Sequence, residues 1–287
     1  MLTERELDHF LDSFLAIPGE EPASREISSE AEENLEEYQL PTDGLIIRQI
    51  EKDGKVGRRT WFALVLMLLI VPALLYLSVR IFHGKKYMIS SLIVVFAAML
   101  PFFMVFEGRK PKAREIMVIA VLSALGVAGR AAFFMVPSFK PVAAFVILTG
   151  ISFGGEAGFL VGCLIMLISN MFMGQGPWTP WQMFSFGIIG FFAGILYKKG
   201  ILKARKADLC IYGFLSVVLI YGGIMNPASI LMAYGHITKE SLLAFYISGL
   251  PVDLVHAAST VVFLCIMSRP LLTKLERIKA KYGLIQR

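Results

Sequence analysis

The sequence has little of what most enzymes and metal proteins rely on. It holds three cysteines and four histidines in 287 residues. Cys163, Cys210 and Cys265 lie within apolar runs and form no C-x-x-C pair, so neither a disulfide framework nor a zinc site is indicated. His9, His83, His236 and His256 are too scattered for a metal cluster. There is no G-x-x-x-x-G-K-[ST] phosphate loop, no H-E-x-x-H and no G-x-S-x-G. No catalytic residue, metal or cofactor is therefore expected. Charge is scarce too, with 17% charged against 56% hydrophobic residues and a mean hydropathy of +0.67. A soluble domain of this length needs more polar surface, which leaves the membrane class. The start, "MLTERELDHF", lacks a basic segment followed by an apolar one. No cleavable signal is expected, and the N-terminus is expected in the cytoplasm.

What charge there is falls unevenly. Residues 1–60 hold fifteen Asp/Glu against seven Lys/Arg, whereas the remainder holds seven against twenty-one. The basic residues sit between apolar runs instead of forming one patch, so nucleic acid is not an expected partner. Residues 1–58 read as an acidic cytosolic tail. It contains a short amphipathic helix (Leu7, Phe10, Leu11, Phe14, Leu15) and the run "EISSEAEENLEEY", which suits a charged helix or disorder.

A hydrocarbon core about 30 Å thick calls for roughly 20 apolar residues per helix. Eight candidate spans meet or approach that rule, near 61–82, 87–106, 115–136, 139–154, 157–173, 183–197, 209–225 and 243–267. With the N-terminus inside, "EGRKPKARE", "KKGILKARKAD" and the C-terminal "RPLLTKLERIKAKYGLIQR" fall on the cytoplasmic side, as the positive-inside rule asks. Lys85 and Lys86 are the exception. The first two spans contain no glycine, whereas the later six are glycine-rich with polar residues at membrane depth. The expected fold is an all-α membrane protein with a tail over 1–58, a two-helix hairpin over 59–110, a six-helix domain over 111–270 and a basic cytosolic tail over 271–287.

Ala120, Ala124 and Ala128 recur every four residues on one helical face, near Ser123 and Gly126. Small residues at this spacing allow another helix to approach, either within the bundle or on a partner. Arg130 and Lys140 flank the outer end of the next hairpin. Lys140 can snorkel, but Arg130 lies deeper and calls for a polar pocket or a carboxylate. Asp253 offers such a carboxylate, and His256 shares its helical face, with Ser259 and Thr260 one turn on. The pair suits ligand binding, an ion pair holding the bundle, or proton coupling. Asn170 and Asn226, near span ends, suit ligand contacts or helix caps. "GQGPWTPWQ" (174–182) is uncharged and stiff, and holds two of the three tryptophans. Gln175, Trp178, Trp181 and Gln182 make it either an interfacial anchor or a lid over a ligand.

Taken together, "AVLSALGVAGRAAFFMVPSFKPVAAFVILTGISFGGEAGFLVG", "SNMFMGQGPWTPWQMFSFGIIGFFAG" and "LPVDLVHAASTVVFL" resemble the S component of an energy-coupling factor (ECF) vitamin transporter, over about 113–268. The resemblance implies six helices and a vitamin-like ligand bound near the outer face. Loops 137–140, 174–182 and 226–242 would roof that pocket. It implies that Ala120, Ala124 and Ala128 dock on a membrane coupling subunit, and that two cytosolic ATPases supply the energy. Among substrates, the Trp-rich loop is most similar to the cobalamin or corrinoid branch; a pterin, a queuosine precursor or a thiamine fragment stays open. The two N-terminal spans and the tail have no counterpart in that six-helix pattern. Two other functions remain: a membrane sensor of ligand or lipid that signals through the acidic tail, and a membrane enzyme built on Asp253 and His256.

Overall fold

A computed structural model of the chain describes residues 113–281 continuously, together with seven helical positions between Ile93 and Glu107. The expected tail over 1–58, the span near 61–82 and the last residues, 282–287, lie outside the described residues. The helical positions Ile93, Phe96, Met99, Leu100, Phe103 and Phe106 follow the three- and four-residue steps of one helix face. Met99 is buried, and the Phe103 ring meets Phe159 edge-on at 6.1 Å.

Six helices follow. They are α1 (Ala113–Ala132), α2 (Val142–Phe153), α3 (Gly155–Met173), α4 (Thr179–Lys198), α5 (Lys206–Tyr234) and α6 (Lys239–Lys281). Five are long and apolar enough to cross a membrane, and no strand occurs among the described residues. The protein is an all-α membrane protein. Two polar corners define its ends. The C-termini of α1 and α3 meet the N-terminus of α4 at what is here termed the Arg130 end. The α2–α3 corner and the C-terminal part of α6 meet at the opposite, Gly154 end.

The exception in length is α2, whose twelve residues span only about 18 Å. All twelve are buried, as an apolar-all-round sequence requires, so α2 is the core around which the others pack. It stops at Gly154, whose φ of 96° is a region that side-chain-bearing residues rarely adopt, and α3 starts one residue later. Against α2, helices α3 and α4 pack backbone to backbone. A Cβ added at Gly150 would lie 2.2 Å from the Gly190 carbonyl oxygen, and one at Gly194 would lie 2.3 Å from the Gly155 nitrogen. The spacings Gly158–Gly162 and Gly190–Gly194 are G-x-x-x-G patterns, which suit helix contact where lipid supplies no hydrophobic drive.

Helix α5 carries a π-helical stretch, Ser216–Tyr221, and an internal proline, Pro227. A proline has no N–H for the carbonyl four residues back. That carbonyl, Gly223 O, accepts instead from the Tyr246 hydroxyl of α6 at 3.2 Å. The helix therefore runs on to Tyr234, and the loop expected over 226–242 shrinks to the four residues 235–238. Helix α6 has 43 residues, roughly 65 Å, so it outreaches any bilayer core. Its far part folds under the Gly154 end, where buried Lys279 donates to Ser152 O at 3.0 Å and pairs with Glu276.

Candidate functional site

At the Arg130 end, polar side chains from five helices converge inside an apolar bundle. Arg130, in the last turn of α1, turns inward: its Nη1 donates to Ser169 Oγ and, at 2.6 Å, to Asn170 Oδ1. Both acceptors end α3 and are 0% and 1% exposed, so the guanidinium lies against the bundle interior and not lipid. Asn170 is fixed from its other side. Its Nδ2 donates to Thr179 Oγ1 at 3.0 Å and to Gln182 Oε1 at 2.9 Å, both in the first turn of α4. Ser169 Oγ donates in turn to Ile165 O. The network is fully neutral apart from Arg130, and each member is a donor or acceptor the others need.

Phe186, Tyr221 and His256 form the next layer. The Tyr221 and His256 rings meet edge-on at 4.8 Å, and Phe186 lies 5.1 Å from Tyr221 and 5.6 Å from His256. The Tyr221 side chain interacts with Gln182 and feels the charges of both Arg130 and Asp253. Asn226 Nδ2 donates to Asp253 Oδ2 at 3.0 Å. That pair is enclosed by two glycines: a Cβ at Gly222 would lie 2.6 Å from Asp253 Oδ2, and one at Gly249 would lie 2.5 Å from Asn226 Oδ1.

The 133–141 connection closes one side. Phe133, Phe139 and the α6 residue Phe263 meet edge-on or tilted at 5.1–5.8 Å, and Ser259 Oγ donates to Lys140 O at 3.1 Å. Lys140 Nζ donates to Val136 O at 3.0 Å. Burial, and after it the nearby Arg130 charge, hold the Lys140 ammonium below its ordinary value. The charges of Lys140 and Arg130 both act on His256.

The expected carboxylate partner of Arg130 is thus not Asp253, which accepts from Asn226 instead. Nor do Asp253 and His256 hydrogen-bond each other among the described residues. Asn226 belongs to α5 and not to a loop. The "GQGPWTPWQ" segment is also only half a loop, because α4 begins at Thr179 with Pro180 in its first turn, where a missing N–H costs nothing. Trp181 is consequently 8% exposed within the bundle, and its indole Nε1 finds no hydrogen-bond partner among the described residues. Trp178 stays 40% exposed, its ring folded over Gly176. Gln175 is exposed and donates to Leu167 O at 3.1 Å. Ser169, Thr179, Phe186 and Tyr221 were not among the expected site residues. Ser169 adjoins Asn170 in the sequence, and that Ser-Asn pair at a span end was a readable signal. Nothing in the sequence flags Tyr221, whose position depends on the π-helical stretch.

Ala120, Ala124 and Ala128 are all exposed on α1, beside exposed Ile116 and Leu125. The stripe therefore packs against no other helix among the described residues.

A bundle of apolar helices with a polar, cation-bearing cluster of side chains at one end defines a multi-pass membrane protein. Residues 110–277 match the family model described as "ECF-type riboflavin transporter, S component". The chain belongs to that family. Among curated proteins it is similar to a UPF0397 protein of Vibrio atlanticus, at 33% identity over 117 residues, 39% of this chain and 64% of the relative. A UPF0397 protein of Aliivibrio salmonicida is 32% identical over 120 residues, covering 39% and 63%. One of Aliivibrio fischeri is 34% identical over 121 residues, covering 40% and 66%. The chain thus spans a little under two thirds of the length of these relatives. No solved structure matches it.

Proposed function

We propose that the protein is the substrate-binding subunit of an ECF-type importer, capturing a vitamin-like ligand at the Arg130 end and releasing it on the other side of the membrane. The observation that carries this reading is the Arg130–Asn170–Gln182 network: a charged group at membrane depth, held by buried neutral partners and facing the bundle interior. Intramembrane charges held in this way mark substrate pathways. Arg130, Lys140, Asn170, Gln182 and Trp181 form one side of the ligand region, and Asn226, Asp253 and His256 the other. Trp178 and Gln175 lie at its rim. The basic segment "KKGILKARKAD" between α4 and α5 supports placing the Gly154 end in the cytoplasm and the Arg130 end outside.

The exposed stripe Ala120, Ala124 and Ala128 is the docking surface for a membrane coupling subunit in this reading, since small side chains admit a close helix. Two cytosolic ATPases would supply the energy that this chain has no phosphate loop to harvest. The family description favours a flavin over a corrinoid as the ligand. Asp253 and His256 line the site here and perform no catalysis.

The test is purification from the native membrane followed by mass spectrometry of the small molecules released on denaturation. A flavin or another vitamin in amounts comparable to the chain, together with a co-purifying coupling subunit, is the expected result. A corrinoid would restore the alternative ligand. An empty site with tightly held lipid and no associated subunit would sink the transporter reading and favour a sensor.

A further inference from the structure

We propose that the ligand carries an anionic group, a phosphate or a carboxylate, which docks between Arg130 and Lys140. The claim rests on the substrate-binding reading above and names the chemistry of its ligand. It begins with the donor inventory of Arg130. A guanidinium has five N–H donors arranged as a planar fork. Among the described residues, only Nη1 is engaged, on Ser169 and Asn170. The Nε–Nη2 edge has no protein partner there, and that edge is the one that takes a carboxylate or phosphate through two parallel hydrogen bonds.

The partners that Arg130 does have are neutral. No carboxylate among the described residues lies within ion-pair distance of Arg130 or of Lys140; Arg205–Asp208 and Lys279–Glu276 pair elsewhere. Lys140 Nζ spends one donor on Val136 O, which leaves two. Two cations whose charges reach each other are thus left, among the described residues, without a counter-charge, an arrangement that is costly unless something else neutralises it. Among the described residues, Asp253, whose charge also reaches Tyr221, is held by Asn226. Asn170, whose amide is locked by Thr179 and Gln182, keeps Arg130 from swinging toward it. The site thus has a cationic corner, an aromatic wall of Tyr221 and His256, and an acidic corner. A flat ligand with an anionic substituent at one end suits that set of groups.

The same anionic chemistry exists in lipid headgroups, and the experiment separates the two sources. The full chain is placed in phosphatidylcholine nanodiscs and titrated at constant ionic strength with riboflavin and with riboflavin 5′-phosphate, following tryptophan fluorescence. Inorganic phosphate against chloride is read by thermal unfolding. The phosphorylated flavin is expected to bind about tenfold more tightly than riboflavin, the discrimination of one good charge-assisted contact. Arg130→Gln should abolish that difference, and so should Lys140→Gln, a loop substitution that spares the bundle should the first variant fold poorly. If neither flavin binds, phosphate should still raise the unfolding temperature of the wild type and not of Arg130→Gln. Equal affinities for the two flavins overturn the anion claim while leaving substrate binding intact. Absence of any response to flavins and phosphate overturns it as well. Loss of the phosphate preference when phosphatidylglycerol replaces phosphatidylcholine would assign the corner to lipid and overturn it too. Failure to associate with a coupling subunit would sink the transporter reading alone.

Discussion

The side-chain oxygen of Asn170 accepts from Arg130 Nη1 at 2.6 Å, while the nitrogen of the same amide donates to Thr179 and Gln182. One buried amide therefore joins α1 to α3 and α4 and sets the direction of the only cation inside that network. Asn170→Leu leaves Arg130, Thr179 and Gln182 each short of a partner. The expected loss of stability is about 1–3 kcal/mol, the cost of unsatisfied buried polar groups, read as a lowered unfolding temperature in detergent or nanodiscs. Asn170→Asp makes the opposite change. It supplies a carboxylate to Arg130, and the Thr179 hydroxyl and Gln182 amide can turn round to donate to it, so it should destabilise less than Asn170→Leu while weakening any anionic ligand.

Lys140 gives the site a pH dependence with a defined sign. Burial and the Arg130 charge favour its neutral form, so its ammonium loses its proton below the ordinary lysine value. Arg130 from α1 and His256 from α6 are the charged or titratable groups whose influence reaches it. A group whose folded value is depressed binds fewer protons in the folded chain, so its contribution to folding becomes more favourable as pH rises. Affinity for an anionic ligand runs the other way, falling with rising pH as the ammonium deprotonates, and earlier than for an exposed lysine. Binding measured across the alkaline range should show that fall, and Lys140→Arg should remove it.

The glycine seam makes a sharp pair of stability predictions. At Gly150 an added methyl would meet the Gly190 carbonyl oxygen at 2.2 Å, a backbone atom that cannot step aside alone. Gly150→Ala should cost about 3 kcal/mol or more, at the upper end of overpacking, and sharply lower the yield of folded protein. Gly223, in α5, has nothing within 4 Å of a Cβ. Gly223→Ala should be neutral or stabilising by about 0.5–1 kcal/mol, because it removes backbone freedom from the unfolded chain.

Ala124 is exposed on α1, so Ala124→Leu should leave the unfolding temperature unchanged. In the docking reading the same substitution blocks close helix approach and should remove the coupling subunit from pull-downs. Normal assembly and uptake with Ala124→Leu would end the docking claim.

The sequence made the helices and the polar end legible, but not the pairings. Long apolar runs and interrupting glycines mark α1 to α6 because a bilayer leaves few other ways to satisfy the backbone. Arg130 stands out as a charge too deep to leave unpartnered. Its partners do not stand out: charge logic points to Asp253, whereas the fold offers neutral Ser169 and Asn170. The end of α5 was misplaced for a related reason. Pro227 reads as a stop unless something else satisfies Gly223 O, and Tyr246, 23 residues later in the chain, does so. The G-x-x-x-G spacings of α3 and α4 were readable, but only the assembled core shows that these glycines touch each other's backbone.

The central claim is that a ligand is held by the Arg130–Asn170–Gln182 network. Isothermal titration of riboflavin and its 5′-phosphate into the full chain in nanodiscs, comparing wild type with Asn170→Leu, tests it most directly. The account predicts one-to-one binding to the wild type and at least about tenfold weaker binding to the variant, the loss of one buried, charge-assisted network. Equal affinity in the two proteins, with Asn170→Leu still folded, would contradict it.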